Sequence, residues 1–344
     1  MKTRSTPRRG VMAGGNWLVD YVKVVDTYPQ PEQLANILSQ YQGTGGAAYN
    51  VLMALARSGA PFPLLGAGLV GNDRLGKQIL QDCRRHQIDA RHLRSTSRAS
   101  TSFTDVMTER SAGRRTFFHC RGANALWRGD DLDFDHIGAR IFHFGYLLLL
   151  DEMDKPDGRF GTRAARLLAK ARKAGVKTSV DAASVDSPAF AEVIAPALKH
   201  ADYCILNEFE AGKITGICCR DGQGRPDVNA LSRSARALLE LGVRELVVVH
   251  YPEGSLAARA GGERAWQPSV RLPPTRIAGT AGAGDAFCAG MLLGLHENWE
   301  LQRCLRAAAC VAAASLSHPT TTGGIGSLRR SLAIGKKFGF RRSS

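Results

Sequence analysis

Residues Gly279-Thr280-Ala281-Gly282-Ala283-Gly284-Asp285-Ala286-Phe287 combine a run of small side chains with one acid, ahead of the apolar stretch Ala289–Leu295. Small residues at a helix start leave several backbone N–H groups uncovered at the positive end of the helix dipole. Gly282, Ala283 and Gly284 read as an anion hole for the charge that develops on a transferring phosphoryl group. Asp285, at the same helix start, reads as the general base that takes a proton from an attacking hydroxyl. The competing reading is an N-cap aspartate behind a flexible turn.

Two further glycine clusters invite chemistry. In Gly43-Thr44-Gly45-Gly46-Ala47-Ala48-Tyr49-Asn50, the glycines admit a hydroxylated ligand to the backbone, and the Asn50 amide both donates and accepts. A glycine turn before a close-packed helix is the plainer alternative. Gly66-Ala67-Gly68-Leu69-Val70-Gly71 has the form G-x-G-x-x-G after an apolar strand and before a helical pattern, as a dinucleotide site requires. Against a dehydrogenase stand Asn72-Asp73-Arg74, which sets an acid where phosphate would approach, and the prolines Pro61 and Pro63 in the strand.

The elements that must position these residues alternate. Apolar strands are expected at Tyr21–Val25, Pro63–Ala67, Ile141–Phe144, Lys177–Asp181, Tyr203–Leu206 and Glu245–His250. Helices are expected at Ala47–Ser58, Leu75–His86, Gly161–Ala174, Asp227–Leu241, Ala286–Glu297 and Leu301–Leu316. Such alternation predicts an α/β fold with a mainly parallel sheet covered on both faces. Ser100–Arg121 departs from it and reads as a hairpin of half-exposed strands, a lid together with Tyr21–Pro29. Phe103, Phe117 and Phe118 either cover an apolar part of a substrate or pack the hairpin. Asp105, Arg115, His119 and Arg121 are specificity candidates, the arginines favouring a phosphorylated acceptor, although residues of this kind are more often exposed strand positions. His143 reads as a hydrogen-bonded core histidine.

Composition narrows the class. The 344 residues are 44% hydrophobic and 22% charged, the profile of an ordinary globular protein. The net charge of +15 raises nucleic-acid or membrane-surface binding. Ten of those charges lie on residues 1–10 and 326–344, which carry no acid and read as solvated basic tails with only weak, salt-sensitive attraction to polyanions. A specific nucleic-acid partner is therefore not expected. The eight cysteines form no C-x-x-C pair and read as small buried residues in a reducing, cytoplasmic setting. The longest apolar run, Ile141 to Leu150, is about half a membrane span, and no secretory signal or membrane partner is expected.

Taken together, these residues resemble the ribokinase/PfkB family of carbohydrate and nucleoside kinases over about residues 11–325, with residues 1–10 and 326–344 as tails. Gly15-Asn16-Trp17-Leu18-Val19-Asp20 resembles the first strand, whose aspartate binds substrate hydroxyls. Gly45-Gly46 with Asn50 and Arg57-Ser58-Gly59 resembles the N-terminal signature, and Gly71-Asn72-Asp73 with Gly76 the G-x-D-x-x-G turn. Asn207-Glu208-Phe209-Glu210 resembles the N-x-x-E motif that supports magnesium and phosphate. Thr280 to Asp285 resembles the C-terminal signature with its anion hole and base.

The resemblance implies a ribokinase-like three-layer α/β/α sandwich with a small β lid, and phosphoryl transfer from ATP with Mg2+ to a sugar or related polyol. A nucleoside kinase, or a non-catalytic sensor of sugars or nucleotides, is the alternative. It implies that Asp20, Gly45, Gly46 and Asn50 bind the acceptor. It also implies that Asn207, Glu210, His250, Gly254 and Thr280 serve the nucleotide, Glu210 and Asn207 reaching the metal through water. A homodimer through the lid is a further implication. Departures are Leu52 at a usually small position and Tyr251-Pro252-Glu253 in place of a short glycine turn. Gly279 stands where the family usually carries the aspartate that helps hold a monovalent cation, so such a cation gains no support here.

Overall fold

A computed structural model of the chain describes residues 7–111 and 115–342. β1 (Val11–Gly15) is followed by β2 (Leu18–Val25), β3 (Ile37–Gly45) and α1 (Ala47–Ser58), then β4 (Leu64–Gly71), α2 (Arg74–Arg85) and β5 (Ile88–Thr96). β6 (Ser102–Glu109) and β7 (Arg115–Cys120) precede β8 (Ile141–Leu147), α3 (Arg163–Lys173), β9 (Lys177–Ala182), α4 (Phe190–Leu198), β10 (Tyr203–Asn207), α5 (Glu208–Thr215) and α6 (Val228–Glu240). The chain then forms β11 (Leu246–Tyr251), β12 (Gly254–Arg259), β13 (Arg264–Pro268), α7 (Ala283–His296), α8 (Leu301–Ser315) and α9 (Leu328–Phe338).

Nine strands make one sheet in the order β13-β12-β11-β10-β9-β8-β1-β4-β5. Pairing is parallel from β5 to β11 and antiparallel at the β11–β12–β13 edge. The apolar runs are continuous because both faces are covered. Val11, Ala13, Ile205 and Val248 point into a core with Leu52, Leu292 and Leu305, on the side of α1, α7 and α8. Their neighbours Met12, Cys204, Leu206, Val247 and Val249 point the other way, onto Leu168, Ile194 and Leu231 of α3, α4 and α6. Two cores on two faces make the expected three-layer sandwich. The described segments contain no helix long and apolar enough to cross a membrane.

β1 is the topological switch: the chain builds outward through β4 and β5 on one side, then through β8 and its successors on the other. Ligands in open α/β sheets bind at the carboxyl ends of strands beside such a point. A separate four-stranded sheet, β3-β2-β6-β7, stands over it. The expected hairpin is β6–β7, paired antiparallel, although residues 112–114 of its turn lie outside the described residues. β2 joins it in parallel from Leu18 to Val25, so the lid segment begins two residues before Asp20.

Three local expectations need correction. G-x-G-x-x-G lies inside β4 rather than in a phosphate-binding loop. Its glycines make room for the buried Trp17 indole, which would lie 2.8 Å from a Cβ on Gly66 and 2.4 Å from one on Gly68. Trp17 Nε1 donates to the Ala67 carbonyl at 2.8 Å. The C-terminal stretch is not a solvated tail: α9 packs on α8, so tightly that a Cβ on Gly335 would sit 2.6 Å from Cys310 Sγ. Its charges occupy the outer face of an amphipathic helix, a pattern that net charge alone conceals. At the other end, Arg8 donates to the carbonyls of Ile137, Phe134 and Ala174, while residues 1–6 lie outside the described set.

Candidate active site

The carboxyl ends of β8, β9, β10 and β11, the first turns of α1 and α7 and the inner face of the lid enclose a cleft of about 770 Å³. Asp20, Gly46, Asn50, Asn207, Glu210, His250, Thr280, Gly282, Ala283, Gly284 and Asp285 all line it. Gly45 adjoins it, since a Cβ there would meet Asp20 Oδ2 at 2.2 Å. Gly254 does not line the cleft. It pairs with Tyr251 in the β11–β12 hairpin, against Gln267 and Pro268. Gly279 lies apart as well, against His318 and Pro319.

α7 begins with Gly282 in the left-handed conformation at φ 73°, and no side chain caps it. A Cβ on Gly282 would come within 2.6 Å of Thr321 Cβ, so geometry and space both demand glycine. Gly282, Ala283, Gly284 and Asp285 line the cleft at the positive helix end, and the Ala283 N–H donates to the Thr280 carbonyl only at a long 3.5 Å. A Cβ on Gly284 would lie 3.3 Å from His250 Cε1, which leaves the imidazole against bare backbone. Burial lowers His250 to about 4, so this ring is neutral at physiological pH.

Asp285 is buried at the start of this helix. Tyr146 Oη donates to both carboxylate oxygens, at 2.7 and 2.8 Å, and Asn50 Nδ2 donates to Oδ2 at 2.8 Å. Thr321 Oγ1 donates to Asn50 Oδ1 at 2.8 Å, which turns the amide so that its nitrogen faces Asp285. Burial raises the Asp285 carboxyl to about 6, while the bonds from Tyr146 and Asn50 pull it back down. Burial, then the charge of Asp285, raises Asp20 to about 7, against an opposing pull from Arg115.

Asn207 and Glu210 form a capping box at the start of α5. Asn207 Oδ1 accepts from the Glu210 N–H at 2.9 Å, and Glu210 Oε2 accepts from the Asn207 N–H at 2.9 Å. Ser184 Oγ and Asn207 Nδ2 donate to Glu210 Oε1 at 2.6 and 2.8 Å. The motif thus has a structural duty of its own. Asp181, at the end of β9, is buried nearby. Burial and then the charge of Glu210 raise Asp181, and burial likewise raises Glu210.

The described residues offer no cluster of three metal-ligating side chains. They do offer two buried carboxylates whose mutual repulsion a cation would relieve, and hard oxygen donors of this kind suit magnesium, which keeps most of its waters. Asp181, Tyr146 and Thr321 were not anticipated. Asp181 carried a readable signal, an acid ending a buried strand. Tyr146 sat unremarked in an apolar run, and Thr321 meets the site only through the fold.

The other sequence candidates fall where strand alternation sends them. Arg115, Phe117 and His119 face the cleft. Asp105 pairs with Lys23, and Phe103 meets Tyr21 edge-on at 6.1 Å, so both serve the lid itself. Arg121 pairs with Asp151 at 2.6 Å. His143 is a core histidine bonded to Ser179 Oγ at 3.1 Å. Asp73 caps α2 and binds Thr101 N–H at 2.7 Å, which ties the G-x-D-x-x-G turn to the start of the lid strand.

The model of the pfkB family carbohydrate kinases matches residues 10–326. A probable chloroplastic fructokinase-6 of Arabidopsis thaliana is 27% identical over 300 residues, covering 85% of this chain and 71% of that protein. A ribokinase of Arabidopsis thaliana is 29% identical over 265 residues, covering 74% of this chain and 62% of that protein. Among solved structures, Arabidopsis thaliana ribokinase complexed with ribose and ATP superposes with a TM-score of 0.76 at 20% identity, covering 95% of this chain and 98% of that one.

Proposed function

The chain belongs to the pfkB family of carbohydrate kinases, and from that premise we propose that it transfers the γ-phosphoryl group of ATP to a hydroxymethyl group of a sugar or related polyol. One observation carries the reading: a buried carboxylate, oriented by Tyr146 and Asn50, sits at the start of a helix that no side chain caps and whose first turn lines the same cleft. Asp285 takes the proton of the attacking hydroxyl. A carboxyl near 6 is ionised at neutral pH and close enough to it to share a proton. The Gly282, Ala283 and Gly284 amides neutralise charge on the phosphoryl group, fixed in place before the reaction begins. Asp20 and Asn50 grip acceptor hydroxyls, with the bare backbone of Gly45 and Gly46 beside them.

Thr280 and His250 would border the nucleotide, and Asn207 and Glu210, with Asp181 alongside, would hold a magnesium ion through water. Bound there, the ion would supply positive charge to the phosphates of ATP. Gly279 supplies no side-chain oxygen for a monovalent cation. Turnover is therefore expected to persist when potassium is replaced by tetramethylammonium.

A nucleoside acceptor is the second reading, favoured by Phe117, which presents a 56%-exposed ring on the cleft side of the lid. Ile37, Leu38 and Tyr41, exposed on the β3 edge of the lid, support a homodimer through the lid, which light scattering would test. The deciding experiment is ADP release from MgATP over a panel of sugars, sugar acids, sugar phosphates and nucleosides. Turnover by the wild type, lost in Asp285→Ala, is expected. Saturable sugar or nucleotide binding without ADP release would identify a sensor instead.

A further inference from the structure

The inner face of the lid carries a cation, Arg115, that lies over the Phe117 ring at 5.6 Å and meets no described carboxylate. Pairing runs Asp20↔Thr104 between β2 and β6, then Thr104↔His119 and Thr108↔Arg115 between β6 and β7. Period-two alternation therefore puts Asp20, Thr104, Arg115 and His119 on one face, and all four line the cleft. Thr104 Oγ1 engages His119 Nδ1 at 2.9 Å. Yet His119 Nε2 and Arg115 Nη1, both shielded from solvent, have no hydrogen-bond partner. Arg115 is the only lysine or arginine among the described residues lining the cleft. It feels Asp20 through space, but it forms no ion pair with Asp20 or any other described carboxylate.

Shielded donors left unmade are costly, and an unpaired cation more so. Arg115 stands on the lid strand β7 and acts on Asp20, the residue read above as an acceptor contact, which favours the acceptor over the nucleotide as its partner. A sugar hydroxyl would satisfy one N–H and leave the charge unmatched. A planar guanidinium beside a second ring nitrogen matches an oxyanion, which can accept from two or three donors at once.

We propose that the acceptor carries a carboxylate or phosphate, bound from the lid by Arg115 and His119. The inference rests on the kinase reading above and names the chemical class of its substrate. Arg115 donates to the anion in bidentate fashion. His119, fixed by Thr104, adds a contact through Nε2. The acceptor's hydroxyls remain with Asp20 and Asn50.

Matched acceptors that differ in charge and share a free hydroxymethyl group test this: glucose against gluconate, and fructose against fructose 6-phosphate. With MgATP, gluconate or fructose 6-phosphate should exceed its neutral partner in kcat/KM by about tenfold or more, a range typical of charge-assisted hydrogen bonds. The gluconate pair reads a carboxylate and the fructose pair a phosphate. Arg115→Gln should remove that preference while leaving the KM for ATP within about twofold. Arg115→Lys should restore part of it, and His119→Gln should weaken it less.

A neutral partner preferred by the wild type would overturn the proposal, as would an Arg115→Gln variant that lowers both members of a pair equally or raises only the KM for ATP. Calorimetric titration with gluconate and fructose 6-phosphate separates this from the kinase reading. Binding of either anion that Arg115→Gln abolishes, in a protein that releases no ADP, sustains the anion site and sinks the kinase. If neither anion binds and neither turns over, the anion site is wrong.

Discussion

Asp285 does not stand alone; its two donors and the threonine behind Asn50 set both its direction and its proton affinity. Asp285→Asn should lower kcat by about 10²–10⁴-fold, the usual scale of a general base, in a protein that still unfolds cooperatively. Normal turnover would remove Asp285 from the proposed mechanism. Tyr146 is the sharper probe, because its hydroxyl donates to the ionised form and holds the carboxyl down. Without that bond Asp285 would titrate higher, so Tyr146→Phe should move the acid limb of the kcat/KM profile up by about one pH unit. A limb unmoved, or moved to lower pH, would show that Tyr146 does not tune Asp285. At this scale the sequence was half legible. Asp285 and Asn50 sit in glycine-rich contexts with a chemical reading of their own, whereas Tyr146 reaches Asp285, and Thr321 reaches Asn50, across long chain separations that no local pattern encodes.

Among the elements, buried strands and amphipathic helices declared themselves through periodicity, and α1 lies where its pattern puts it, at Ala47–Ser58. Other elements hid for physical reasons. β3 is an exposed lid strand whose mixed polar and apolar residues give no two-residue rhythm, and α9 was masked by its own charge. That helix makes the basic C-terminus a structural part. Truncation after residue 326 would uncover Cys310, Ala313 and Val270. It should cost at least about 2 kcal/mol in denaturant unfolding, the scale of one or two buried apolar side chains. A solvated tail would cost nothing. The β4 glycines allow a similar check. Gly66→Ala drives a methyl into the Trp17 indole and should destabilise by about 1–3 kcal/mol, whereas a nucleotide loop would lose ligand affinity and keep its stability.

Across the whole molecule, the +15 divides into a basic periphery and an acidic centre. Asp20, Asp181, Glu210 and Asp285 all line the cleft, and each is raised above its ordinary range chiefly by burial. A folded state with raised carboxyls binds more protons than the unfolded chain between about pH 4 and pH 7. The stability these groups contribute is complete below the unfolded value of about 4 and is lost as pH rises through the folded values. The ligand-free protein should therefore melt lower at pH 8 than at pH 5.5 at constant ionic strength, and Asp285→Asn should flatten that slope. A melting temperature that rises over the same interval would contradict the assignment of raised carboxyls.

The same acidic centre makes the free protein a small proton store. At neutral pH its carboxyls are partly protonated, and a magnesium nucleotide arriving beside Asp181 and Glu210 would favour their charged forms. Binding should then discharge protons into the solution, and its heat should change with the ionisation enthalpy of the buffer. The slope of that dependence counts the protons released, so a calorimeter could follow the filling of this cleft before any phosphoryl group moves.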